Sequence, residues 1–102
     1  MIIQVQRGYR VALLEPDDTR RFMMTVPISA DHSQLEEALR GIAEIDGTHA
    51  WVSECWVRTT SGRQASTDWN EAFDAMLAFA RRKGWIRPAD GAIRAHVEEA
   101  DP

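Results

Sequence analysis

His49-Ala50-Trp51-Val52-Ser53-Glu54-Cys55-Trp56-Val57-Arg58-Thr59-Thr60 decides how the rest of the chain is read. Valine, tryptophan and threonine dominate it, and these residues suit a pleated, half-buried surface. The run is therefore predicted to be a strand. Its two faces then carry His49, Trp51, Ser53, Cys55 and Val57 on one side and Ala50, Val52, Glu54, Trp56 and Arg58 on the other. A strand solvated on one face should alternate apolar with polar residues. This one has an indole on each face, so one of them needs cover.

Outward from that run, periodicity and punctuation suggest the remaining elements. Ile2–Leu14 reads as a strand with a bulge or break at Gly8, and Glu15-Pro16-Asp17-Asp18 turns it into a second strand over Arg20–Ile28. Asp31–Ile45 has helical spacing at Leu35, Ala38, Leu39 and Ile42, with Asp31 and Gln34 placed as a capping box. Ser61-Gly62 closes the central run, and Arg63–Ser66 is either a loop or a short returning strand. Asp68–Lys83 is the second helix, with Trp69, Ala72, Phe73, Met76, Leu77 and Ala80 on one broad face. Trp69 and Trp85 bracket it and are expected in the core. Ala92–Glu98 is the last strand.

The expected fold is α+β, a two-layer sandwich with two helices on one face of a mostly antiparallel sheet. From Arg20 onward the order is ferredoxin-like, with an extra N-terminal strand. Residues 1–98 form one domain, and 99–102 are expected to fray.

Composition narrows the classes of function. The chain has 102 residues and a net charge of −4, with 12 basic residues of which only Lys83 is not arginine. Phosphate-backbone binding draws on a basic face, so no nucleic-acid partner is expected. The same sign disfavours an anionic membrane surface, and no apolar run reaches the ~20 residues that span a bilayer. No signal-peptide pattern opens the chain. Cys55 is the only cysteine, which suits a reducing cytoplasm. Cofactor motifs of the Gly-x-Gly-x-x-Gly kind are absent, no metal-ligand spacing joins His32, His49 and His96, and no cofactor or metal is expected.

The functional reading follows from the doubly apolar strand. With helices enough for one face, Trp56 is expected on the open face, beside Glu54, Arg58 and Met23. There it lies partly exposed along neighbouring side chains, or a second copy of the chain, as in dimeric α+β barrels, or a small molecule covers it. Trp56, Arg58 and Met23 are the expected ligand-binding residues, with Arg58 offering a planar fork to a carboxylate or phosphate. Glu54, His49 and His96 are the candidate proton carriers. Cys55, between Trp51 and Val57, is expected to be a buried, inert thiol. Whether chemistry follows binding is left open. The competing reading is a non-catalytic inhibitor or immunity-type module, because residues 31–60 hold six acids against two arginines and that excess would complement a basic protein.

Overall fold

The structure is a computed structural model and describes residues 1–100. It is α+β, with six strands in one mixed sheet and three helices. The elements are β1 (Ile2–Val5), β2 (Val11–Leu14), β3 (Met23–Val26), α1 (His32–Ala38), β4 (Ala43–Asp46), β5 (His49–Val52), α2 (Glu54–Ser61), α3 (Thr67–Arg82) and β6 (Ile93–Glu99). The strand order is β2-β1-β3-β6-β5-β4.

The long first strand is in fact a hairpin. Gly8 and Tyr9 both take positive φ, 86° and 64°, and fold the chain back so that β2 runs antiparallel to β1. The segment after β2 then returns to the other side of β1. β3 lies there parallel to β1, with Ile3 opposite Met24. This corrects the expected antiparallel pairing of the first two strands. The last strand also departs from the ferredoxin-like arrangement. β6 inserts between β3, to which it is parallel, and β5, to which it is antiparallel. The edge beside β3 that a ferredoxin-like sheet would give to its last strand is already held by β1.

The deciding run is part strand and part helix. β5 stops at Val52. Ser53 caps α2, its Oγ accepting the Trp56 amide at 3.2 Å, a side-chain bond that satisfies an otherwise unpaired donor of the first turn. Glu54 and Arg58 fall four apart on α2 and pair at 2.9 Å, an attractive spacing on a helix. Trp56 consequently faces no open sheet; it is half-buried and packs on the core of its own subunit. Trp51 stays on the outer face of the sheet, but the Arg87 guanidinium lies 5.5 Å from its ring centroid. Both indoles are covered within one chain, so the argument for a companion that rested on Trp56 lapses.

Helix α1 is shorter than its periodicity suggests. Asp31 caps it as expected, accepting the Gln34 amide at 3.0 Å, but the chain turns after Leu39 and residues 43–46 pair with β5 instead. Helix α3 starts one residue earlier than its pattern suggests, with Ser66 as its cap, and residues 63–66 are a turn rather than a strand.

Alternation sorts the sheet cleanly. Ile3, Val5, Met24, Val26, Ala50, Val52, Ile93 and Ala95 are buried, and all three helices meet them through Leu35, Leu39, Val57, Trp69, Phe73 and Leu77. Trp69 stacks on Phe73 at 4.9 Å between centroids, and its indole N–H donates to the Pro16 carbonyl at 2.8 Å. Trp85 corrects the expectation for its pair: it is 37% exposed and set edge-on to Phe79. Strand β6 runs through Glu99, and the Ala100 amide donates to the Val26 carbonyl, so pairing continues past residue 98. Asp101 and Pro102, the rest of the expected tail, lie outside the described residues. Among the described residues no helix is long and apolar enough to cross a membrane.

Candidate functional site

The register of β5 against β6 pairs His49 with His96 and Trp51 with Arg94 on the outer face of the sheet. Residues directly opposite in an antiparallel pair have their side chains close together. The two imidazoles are 5.7 Å apart between centroids and nearly edge-on, at 69°. Arg94 Nη2 lies 3.2 Å from His49 Nδ1, and Thr48 Oγ1 lies 3.1 Å from the same nitrogen. A guanidinium has donors only, so Nδ1 is the acceptor and the His49 proton is assigned to Nε2. Burial pushes the His49 pKa below its ordinary 6.5, and the charges of Arg94 and His96 push the same way against a smaller opposing pull from Asp46. His49 is thus held as a neutral imidazole with a defined tautomer.

Along β6, the neighbour on the β3 side changes. Met23 pairs at His96. Earlier in the strand, Ile86 bridges Ile93, and the Trp85 carbonyl accepts the Arg94 amide. A cavity of about 280 Å³ lies at this junction. Its polar side is His49, His96, Arg94 and Arg20, and its apolar side is Phe22, Met76, Phe79 and Trp85. Helix α3 supplies Met76 and Phe79 because these positions flank its buried stripe of Trp69, Phe73, Leu77 and Ala80. A concave apolar site with a few converging polar groups is the usual form of a small-molecule pocket.

Of the residues singled out from the sequence, His49 and His96 come together here. Met23 neighbours His96 across the parallel ladder but does not line the cavity. Glu54, Trp56 and Arg58 go elsewhere, because α2 carries them off the sheet. Arg58 is engaged with Glu54, with Asp74 at 2.7 Å and with Asn70 at 3.2 Å, and it lies 4.7 Å over the Phe73 ring. That network ties α2 to α3 and leaves the guanidinium no free edge for a ligand. Arg20, Phe22, Phe79 and Trp85 are not expected as ligand contacts from the sequence, whereas Arg94, on one side of the last strand with His96 and Glu98, offers an anion-binding role there as the lesser alternative to a plain polar face. The alternation of Arg94 with His96 on one strand was the only local signal, and nothing in sequence spacing brings residues 20 and 79 to it.

A larger concavity, about 500 Å³, lies beside Trp51, Glu54, Cys55 and Arg87. Its cation is already committed: Arg87 pairs with Asp90 at 2.6 Å and Glu44 at 2.8 Å. The Arg87 bond, with the Ala92 amide, holds the Asp90 carboxyl down to about 2. Cys55 is exposed in the first turn of α2, which corrects its expected burial. No cluster of three or more His, Cys, Asp or Glu suited to a metal occurs among the described residues. Comparison of the chain with protein-family models, with curated proteins and with solved structures gives no match.

Proposed function

We propose that this domain binds a small molecule in the cavity at the β3–β6 junction, and that His49 and His96 are its proton-carrying pair. One observation supports the reading above the others: two imidazoles and a guanidinium converge on a concave space whose remaining walls are aromatic and aliphatic. His49, its Nδ1 taken by Arg94, keeps an Nε2–H to donate, and the more exposed imidazole of His96 beside it is the member of the pair placed to accept or relay a proton. The reading requires no resident cofactor, and one subunit supplies every wall, so it requires no dimer. A single exposed thiol fits a reducing cytoplasm.

The acid-rich stretch 31–60 gives little support to a protein-binding inhibitor. Glu37, Glu44 and Glu54 are in ion pairs with Arg40, Arg87 and Arg58, Glu36 lies 2.8 Å from His32 Nε2, and Asp31 caps α1. Five of the six acids thus have a partner within the chain, which leaves fewer free for a basic protein.

A ligand screen read by NMR tests the proposal. Binders are expected to move the ring signals of His49 and His96 and the indole signal of Trp85, and to leave Trp56 unmoved. Binders that cluster at Trp56 and Arg58 with His49 unmoved would place the site on α2 instead.

A further inference from the structure

We infer that the occupant of this cavity is a small anion with a flat apolar body, a single-ring aromatic carboxylate, held by Arg94 and Arg20. The inference rests on the binding site proposed above and names its ligand class.

The charge around the cavity is unlike that of the rest of the molecule. The chain carries 16 acidic residues and a net charge of −4, yet no aspartate or glutamate lines this space. Arg21, Arg40, Arg58, Arg63 and Arg87 each pair with a carboxylate. Arg10, Arg20, Arg81, Arg82 and Arg94 make no ion pair among the described residues, and of these only Arg20 and Arg94 line the cavity. Three carboxylates stand near its rim: Asp18 accepts the Arg20 amide at 3.0 Å, Asp46 stands across from His49 on β4, and Glu98 sits 3.5 Å from His96 Nε2. None of the three lines the space. An unpaired guanidinium beside a concave surface is matched in geometry by a carboxylate, which it can hold through two parallel bonds.

Three further features select among anions. The volume, about 280 Å³, falls at the low end of ligand pockets, which begin near ~300 Å³; it suits one ring rather than two. Phe22, Phe79 and Trp85 present flat apolar surface, which favours a planar body over a fully hydrated ion. The contribution of α3 comes from Met76–Ala80, its C-terminal half, where the helix dipole is negative. That polarity disfavours a dianion such as phosphate and tolerates a monoanion kept at the arginine side.

The test uses three probes on the intact protein: benzoate, its neutral isostere benzamide, and inorganic phosphate. The readout is the His49, His96 and Trp85 signals in NMR titrations. Benzoate is expected to move all three and to bind about tenfold or more tighter than benzamide, the value of one charge-assisted contact. Arg94→Gln is expected to cut that advantage severalfold, Arg20 keeping the remainder, while Arg94→Lys keeps more of it and controls for folding. Equal binding of benzoate and benzamide at these signals would overturn the anion and leave the cavity standing as a site. Phosphate binding tighter than benzoate would overturn the aromatic body. Failure of all three probes to move His49, His96 and Trp85 would overturn the inference together with the binding site it rests on.

Discussion

His49 Nδ1 accepts from Arg94 Nη2 at 3.2 Å, across the β5–β6 ladder. The bond fixes a tautomer and couples the imidazole to a permanent positive charge. Its effect on titration can be measured directly.

His49 should titrate below 6.5, and Arg94→Gln should raise its pKa without restoring it fully, because burial is the larger cause. The folded form resists the proton more than the unfolded chain does. The contribution of His49 to stability is therefore full above 6.5 and falls as pH drops from 6.5 through the folded pKa. Histidine ring NMR against pH checks the first statement, and urea melts at a series of pH values check the second. A His49 pKa at or above 6.5 would contradict both.

Phe73 is fully buried at the centre of the core and stacked on Trp69. Phe73→Ala should cost about 3–5 kcal/mol. In a domain this size that lowers the melting temperature by more than ~12 °C, as thermal denaturation followed by circular dichroism would show. A loss of only a few degrees would mean that the core closes around the missing ring.

Ser53 ends β5 and begins α2. Ser53→Ala should destabilise the protein by about 1 kcal/mol, whereas Ser53→Asp, which also caps, should be nearly neutral. Were residues 53–58 a continuous strand, these two substitutions would not separate in this way.

Replacing Glu54 by Gln and Arg58 by Met should lower the melting temperature, because the Arg58 network joins α2 to α3. The same double variant should leave benzoate-induced shifts at His49 and Trp85 unchanged. A weakened response at those signals would show that α2 communicates with the cavity.

Asp90 should titrate near 2, held there by Arg87 and by the Ala92 amide. The sign is that of a depressed carboxylate: its stabilising contribution is present above the ordinary 3.8 and lost as pH falls through about 2. Arg87→Gln should return the Asp90 pKa toward 3.8, and carboxyl-carbon NMR would reveal whether it does.

Several elements were legible from local pattern alone. Helix α3 announces itself through Trp69, Phe73, Leu77 and Ala80 at helical spacing, and Asp31 marks the start of α1 by its capping chemistry. The alternation of Ile93, Ala95 and Val97 with Arg94, His96 and Glu98 identifies β6 and its two faces. The 49–60 run misleads because its strand formers outweigh quieter helix signals: Ser53 at a cap position, Glu54 and Arg58 four apart, and Gly62 at the exit. β-propensity reflects fit to a half-buried surface more than backbone preference. Here α2 offers Trp56 and Val57 a buried surface of a different kind.

The chain by itself determined its helical and strand periodicities, its acidic balance and the placing of His49 and His96 on strands, because each depends on composition or on neighbours within a few residues. Strand order, the parallel pairing of β3 with β1 and β6, and the gathering of Arg20, Phe79 and Arg94 around the imidazoles were decided only by the tertiary structure. These depend on contacts between segments tens of residues apart. Such contacts form where buried surface and satisfied hydrogen bonds outweigh the entropy of closing the chain, and no local spacing encodes that balance.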